Sequence, residues 1–280
     1  MSCARLLLML STAVATLQPA SASPGAEARA PEGRGMWVWQ SVPAQPMVDF
    51  ARSHGVDRLW LATTTRLGAA ERLRLTATMR LARRHGIDVA ALGGAPVWAL
   101  RHDEAMAWAR RSTEVVGALH VDVEPYCLRA WDTDQDRVVR GYLELLDSLR
   151  ALPVRLEVDV PFWYGSIPAP GGNLADAVLA RVDAVTVMSY RDHALGENGI
   201  LDISRDWMRR TTQAHVPLTL GAETNPVPDC PHCTFAQEGA GALDREQAVV
   251  ARQLRNRPSF AGVAVHDWAG WRALERDGRR

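Results

Sequence analysis

Short apolar runs alternate along this chain with longer segments in which apolar residues recur every three or four positions. The runs are Met36–Trp39, Arg58–Ala62, Asp88–Leu92, Ala118–Val123, Arg155–Val160, Ala184–Met188, Leu218–Gly221 and Gly262–Val265. The segments with helical spacing are Met47–His54, Ala69–His85, Asp103–Val115, Thr133–Leu149, Leu174–Arg181, Ile203–His215 and Asp244–Arg255. Strand-length runs followed by helix-length amphipathic segments predict parallel strands joined by helical crossovers. Eight such runs in one chain predict an α/β fold with a single (β/α)8 TIM barrel, with an open doubly wound sheet as the competing arrangement. Ser53-His54-Gly55 and Arg84-His85-Gly86 repeat one device, a glycine that ends a helix before the next strand, and Ala214-His215-Val216-Pro217 uses proline there. Asp132 or Thr133 before the fourth helix, and Asn173 before the fifth, are the predicted N-caps.

The first residues break the pattern. Arg5 precedes the run Leu6-Leu7-Leu8-Met9-Leu10, and Ala20-Ser21-Ala22 follows. A basic start, a short apolar run and a small-residue cleavage pattern predict an export signal over residues 1–22. Residues 23–34, rich in Pro, Gly, Ala and charge, predict a linker, which leaves 35–280 for the barrel. A secreted or periplasmic protein is therefore expected.

Charge narrows the partners. Thirty-two basic residues balance thirty-two acidic ones, so neither nucleic acid nor an anionic membrane is an expected partner, and a single copy is the expected state. Every basic residue is arginine, which excludes a lysine Schiff base and a P-loop lysine. No glycine-rich phosphate loop and no G-x-S-x-G elbow occurs, so nucleotide chemistry and serine hydrolysis are disfavoured and no cofactor is expected. Cys3 falls in the signal, leaving Cys127, Cys230 and Cys233, an odd number that predicts one bridge and one thiol. Cys230-Pro231-His232-Cys233 has the form of a redox motif but sits in a loop after the seventh strand. A local bridge is the favoured reading, with a bridge to Cys127 or a zinc set including His232 as alternatives.

In a barrel of this type, chemistry gathers at the carboxyl ends of the strands. Alternation along the fourth strand puts His120, Asp122 and Glu124 on one face and Leu119, Val121 and Val123 on the other. Three polar groups on a buried face are costly unless they serve one another or a ligand. Glu124 stands nearest the mouth, and a neighbouring carboxylate favours its protonated form, which a proton donor to a leaving oxygen requires. Asp159, on the same face of the fifth strand as Glu157, is a candidate support for substrate or for Arg191.

Asp122-Val123-Glu124 resembles the end of the D-x-x-D-x-D-x-E signature of family 18 chitinase-like barrels, with His120 and Gly117 standing where earlier Asp residues would be. Met188-Ser189-Tyr190-Arg191-Asp192 resembles that family's M-x-Y-D/N segment, here with Arg191 inserted before Asp192. His266-Asp267-Trp268 ends the last strand where the family places a tryptophan under the sugar. The resemblance implies Glu124 as acid/base, Asp122 as the group that orients the substrate's acetamido nucleophile, and Tyr190 as its hydrogen-bonding partner. Glu124-Pro125 and Glu223 also resemble the retaining clan that carries catalytic glutamates on strands four and seven. That likeness implies Glu223 as nucleophile, about 5–5.5 Å from the acid, against roughly 6.5–9.5 Å for an inverting pair.

Aromatics fit a carbohydrate partner, because sugar C–H faces pack on flat rings. Among ten tryptophans, Trp39, Trp163 and Trp268 lie at strand ends beside Tyr126, while Trp60 and Trp207 read as core. His120, Arg191, Asp192 and His266 complete the candidate substrate-binding set. Three functions follow in order: a glycosidic-bond hydrolase, a non-catalytic carbohydrate-binding barrel, and a metal-dependent hydrolase or deacetylase using His120 and Asp122. The metal reading is disfavoured because the first strand reads Trp37-Val38-Trp39 rather than His-x-His.

Overall fold

The computed structural model describes residues 33–277. The expected signal, 1–22, and most of the expected linker lie outside the described residues. Arg34, assigned above to the linker, already belongs to the first strand.

Strands β1 (Arg34–Val38), β2 (Arg58–Ala62), β3 (Asp88–Gly93), β4 (Ala118–Val121), β5 (Arg155–Pro161), β6 (Ala184–Met188), β7 (Leu218–Glu223) and β8 (Phe260–His266) run parallel in chain order. The barrel closes where β8 pairs with β1, Arg34 opposite Val263 and Met36 opposite Val265, which excludes the open sheet. Around it lie α1 (Ala44–Ser53), α2 (Ala69–Arg84), α3 (His102–Thr113), α4 (Gln135–Arg150), α5 (Leu174–Leu179), α6 (Arg205–Ala214), α7 (Ala240–Leu254) and α8 (Trp268–Asp277). Short 3-10 turns, and a two-stranded hairpin pairing Pro168–Ala169 with Gly172–Asn173, fill the loops above β3, β4, β5 and β7.

Local chemistry accounts for the boundaries. Gly55 and Gly86 adopt φ of 64° and 68° after α1 and α2. After α6, His215 itself takes the left-handed conformation at φ 55°, and Val216-Pro217 carries the chain into β7. The cap of α4 is Asp134, accepting from Arg137 N at 3.3 Å, rather than Asp132 or Thr133, which belong to a separate turn, Arg129–Thr133. Asn173 caps α5 as predicted, accepting from Asp176 N at 3.0 Å. Helix α8, with Trp271 and Leu274 buried, lies outside the seven helical segments expected from the sequence. A Cβ on Gly270 would stand 2.4 Å from Thr224 Oγ1, so the helix needs glycine to reach the end of β7.

The apolar set on each strand packs outward against helices. Leu119 and Val121 of β4 and Val123 just beyond it join Val138, Tyr142, Leu145, Leu146 and Leu149 of α4 in one buried cluster. Burying each such aliphatic side chain contributes about 1.5–3 kcal/mol. The barrel interior is a separate, smaller cluster of Trp37, Trp60, Ala90, Leu92 and Ala264. Two indoles fit because glycines face them: a Cβ on Gly35 would stand 2.6 Å from Trp60, and one on Gly221 would stand 2.9 Å from Trp37. Large groups from β1 and β2 are thus matched by small ones from β3, β7 and β8, which keeps the interior close-packed. Trp207 is fully buried on the other side of β5, donating to Pro161 O at 3.1 Å.

Candidate active site

Polar side chains occupy the inward face of β4, β5, β7 and β8 in two tiers. The lower tier centres on His120, which is fully buried and stacked on Trp60 with ring centroids 4.1 Å apart. Its Nδ1 lies 3.2 Å from Glu157 Oε2 and its Nε2 lies 2.8 Å from Asp159 Oδ1. Both nitrogens can donate only in the imidazolium form. Burial alone would lower the His120 pKa, but the Asp159 and Glu157 carboxylates overcome it and bring it up to about 9. Burial likewise opposes charge on Glu157, while the His120 hydrogen bond and charge, aided by Arg155 and Arg58, bring its pKa down to about 2. Trp60 Nε1 donates to Glu157 at 3.0 Å and Trp37 Nε1 donates to Asp159 at 2.9 Å, so each carboxylate is held by two partners or more. A cation at 120 therefore answers the two acids of β5.

Below this tier, at the amino ends of the strands, a cavity of about 430 Å³ opens between Arg58, Arg83, Asp88, Arg155 and Glu157. It carries none of the carboxylates at the other end of the barrel.

The upper tier is the mouth. Asp122 and Glu124 are half-buried there, beyond the last ladder pair of β4. Asp122 Oδ1 is buried and has no hydrogen-bond partner among the described residues. Burial, then the charges of Asp159 and Glu124, raise the Asp122 carboxyl well above its ordinary range. Glu124 is raised mainly by burial and also by Asp159, while the Tyr126 hydroxyl, donating to Oε1, works the other way. Cys127 Sγ stands 3.9 Å from the other oxygen, Oε2. Tyr126 leans on Trp163 at 5.1 Å, with Trp131 and Tyr164 around them, so an aromatic cluster braces the loop that holds Glu124.

Across the mouth, Glu223 is buried with both oxygens engaged. Oε1 accepts from Thr224 N at 2.8 Å, Asn225 N at 2.7 Å and Asn225 Nδ2 at 2.9 Å, and Oε2 lies 2.8 Å from His266 Nδ1. Trp39 Nε1 donates to His266 Nε2 at 2.9 Å. That bond needs a lone pair on Nε2 and so selects the neutral ring with its proton on Nδ1. Burial also disfavours charge on His266, but Glu223 favours it strongly enough to bring the pKa to about 9. Protonation and the Trp39 hydrogen bond exclude each other, so charging His266 requires Trp39 to turn its N–H away. Tyr190, half-buried at the end of β6, faces His266 with ring centroids 5.9 Å apart.

The structure thus brings together Trp39, His120, Asp122, Glu124, Asp159, Tyr190, Glu223 and His266 around one end of the barrel, with Tyr126 and Trp163 on its β4–β5 side. Trp268 opens α8, with the Arg272 guanidinium 4.7 Å over its ring. Arg191 and Asp192 take other partners. Arg191 reaches Tyr190 O, Asn198 Oδ1 and Cys233 Sγ, and Asp192 Oδ1 contacts His193 Nδ1 at 2.6 Å. Trp37, Glu157, Asn225 and Asp267 belong to the site's framework although the sequence reading did not single them out as site residues. Asn225 was legible as the donor two positions after Glu223; Asp267, linking Gln40, Asn225 and Gly270 N, was not. Cys230 and Cys233 form the local disulfide. Their sulfurs and a His232 ring nitrogen lie within 4.8 Å of one another, but bonded sulfurs are not the thiolates a zinc set requires. No helix among the described residues is long and apolar enough to cross a membrane.

No family model matches the chain, and no curated protein matches it in sequence. Solved structures do share its architecture. A chitinase from Chromobacterium violaceum ATCC 12472 is similar with a TM-score of 0.54 at 13% identity, over 89% of this chain and 99% of that one. A GH18 chitinase from Pseudoalteromonas aurantia gives 0.51 at 13%, over 88% and 99%. The Bacillus cereus spore cortex-lytic enzyme SleL gives 0.53 at 10%, over 88% and 74%. Likeness at these identities is one of fold: this chain has a (β/α)8 barrel of the form found in those proteins.

Proposed function

We propose that the chain is an exported hydrolase of glycosidic bonds in a poly- or oligosaccharide, with Glu124 as general acid/base and Asp122 as the second carboxylate. The observation that carries this reading is the orphaned Asp122 Oδ1 beside Glu124. Glu157 and Asp159 have their oxygens on protein donors, and Glu223 has Oε1 on three donors and Oε2 in ionic contact with His266, so Asp122 is the acid left to meet a ligand at the mouth. Glu223 then serves to orient His266 and the Asn225 loop rather than as nucleophile.

The chemistry follows from the pKa directions. Burial keeps a proton on Glu124, and with Tyr126 donating to Oε1, that proton sits on Oε2. Glu124 gives it to the glycosidic oxygen as the C–O bond breaks. The substrate's acetamido oxygen closes on the anomeric carbon while Asp122 accepts from the acetamido N–H. Water then adds to that carbon, breaking its bond to the acetamido oxygen, as Glu124 takes a proton from the water. Sugars bearing an N-acetyl group are the substrate class, a choice consistent with the chitinases and the endo-β-N-acetylglucosaminidase from Cordyceps militaris among the structures of similar fold. The Cys230–Cys233 disulfide supports export, because such bonds persist in oxidising compartments.

The test is product release from chitin oligosaccharides and a wider glycan panel by wild type and Glu124→Gln. Hydrolysis that survives the substitution sinks the reading. One feature favours the second reading, a glycan-binding barrel without turnover: the Tyr126 hydroxyl already occupies Glu124. Glycan binding with no product from wild type would select it.

A further inference from the structure

Arg191 is a buried guanidinium, 5% exposed, that no carboxylate contacts among the described residues. Its partners are neutral: Tyr190 O at 2.7 Å, Asn198 Oδ1 at 2.9 Å and Cys233 Sγ at 3.5 Å, with the Phe162 ring 5.2 Å away. Its Nε is buried without a partner. Asp192, the nearest acid in sequence, is turned to His193. A buried cation normally sits against an anion, because desolvation otherwise disfavours it. Here Asp192 acts on the guanidinium only as a nearby charge, and the direct contact is with one sulfur of a disulfide. The other sulfur, Cys230 Sγ, lies 3.3 Å from Nε2 of the exposed His232.

We propose that Cys230–Cys233 is a thiol–disulfide exchange site, in which Arg191 receives the Cys233 thiolate as its counter-ion, and that its reaction partner is a thiol or dithiol reductant. An incoming thiolate attacks Cys230 Sγ. The S–S bond breaks and Cys233 leaves with the electron pair as a thiolate against the Arg191 guanidinium. A second thiol of the reductant, as its thiolate, then attacks the mixed disulfide, releasing Cys230 as a thiolate that takes up a proton and leaving the reductant as its own disulfide. Two electrons pass from the reductant to the protein. Stabilising the leaving thiolate both speeds the first step and favours the reduced state, as at other cysteines beside cations. Pro228, Asp229, Pro231 and His232 are exposed beside sulfurs that are themselves buried, so attack on Cys230 requires this short segment to move aside. The groups facing the sulfurs are Arg191 from the β6 end, His232 from the same turn, and Asp192, whose backbone N–H donates to His232 O at 3.1 Å. Because Arg191 also holds the Tyr190 carbonyl, the exchange site is joined directly to the mouth.

The test equilibrates the full chain with glutathione buffers of graded thiol-to-disulfide ratio, traps thiols by alkylation and assigns them by peptide mass, which separates Cys127 from the pair. Wild type should reduce without denaturant, and Arg191→Gln should require a ratio roughly tenfold more reducing, since a charge-assisted hydrogen bond is lost. Arg191→Lys should recover part of the difference. Equal midpoints for wild type and Arg191→Gln, or a wild-type bond that resists every ratio while the fold is intact, would overturn the proposal. Should Arg191→Gln not fold, the pH dependence of Cys233 alkylation in reduced wild type decides. A midpoint well below the ordinary thiol value of about 8.5 supports the ion pair, and an ordinary midpoint refutes it.

Discussion

The acids on β4 and those on β5 and β7 look into the same barrel, yet they are in opposite states. Glu157, Asp159 and Glu223 are almost wholly buried and held by indole, imidazole, amide or backbone donors. Asp122 and Glu124 are less buried: one oxygen of Asp122 has no partner among the described residues, Glu124 meets only a phenol and a thiol, and both groups have raised pKa values. Burial raises Asp122 and Glu124, whereas on Glu157 the His120 hydrogen bond and charge outweigh it. His120 makes framework of Glu157 and Asp159, the Asn225 loop and His266 do so for Glu223, and the charge of Asp159 in turn presses on the mouth.

Several substitutions break or sharpen this contrast. The largest effect is expected from Glu124→Gln, which should lower turnover by roughly 10²–10⁴, about 2.7–5.5 kcal/mol on the barrier, with little change in melting temperature. Next is His120→Ala. It strands two buried carboxylates and should cost about 3–5 kcal/mol of stability in urea titrations, the range for breaking a buried pair. A loss below 1 kcal/mol would show that Glu157 and Asp159 do not depend on the imidazolium.

Exchanging acids for amides separates the tiers by sign. Glu157→Gln should destabilise at neutral pH, since it removes a carboxylate whose folded pKa of about 2 lies below the ordinary value. That stabilisation exists above about pH 4.5 and disappears as pH falls toward 2. Asp122→Asn should stabilise instead, because a carboxyl with a raised pKa costs stability that accumulates as pH rises from its ordinary pKa toward the raised one. Melting curves that shift the same way for both variants would erase the distinction drawn here.

A pH series tests the lower tier without mutation. The His120 contribution is complete below its ordinary pKa of 6.5 and is lost as pH rises through about 9, so melting temperature should decline across that window. His120→Gln should flatten most of the decline. His266 has the same sign but gains its proton only as Trp39 releases Nε2, so it adds a smaller share. The smallest effect is then Trp39→Phe, expected to lose about 0.5–1.5 kcal/mol with one buried hydrogen bond and to let His266 protonate more readily in an imidazole NMR titration.

Period-two patterning, glycines after helices and the placement of acids at strand ends made all eight strands and the β4 acids readable, because each is a local property of the backbone. Alternation was enough to put His120, Asp122 and Glu124 on one face. Their roles could not be read there, since His120 becomes a cation only when β5 places Glu157 and Asp159 against its two nitrogens. Arg191 and Asp192, beside Tyr190 in sequence, turn to Cys233 and His193 for the same reason.

By itself, then, the chain's order of residues determined the barrel, its inward polar face and the sites where acids and indoles end the strands. Barrel closure decided which acids are neutralised, which oxygen of Asp122 is left over and which sulfur meets a guanidinium. Ionisation and hydrogen bonding depend on groups brought together across strands far apart in sequence, and only the closed fold sets those distances.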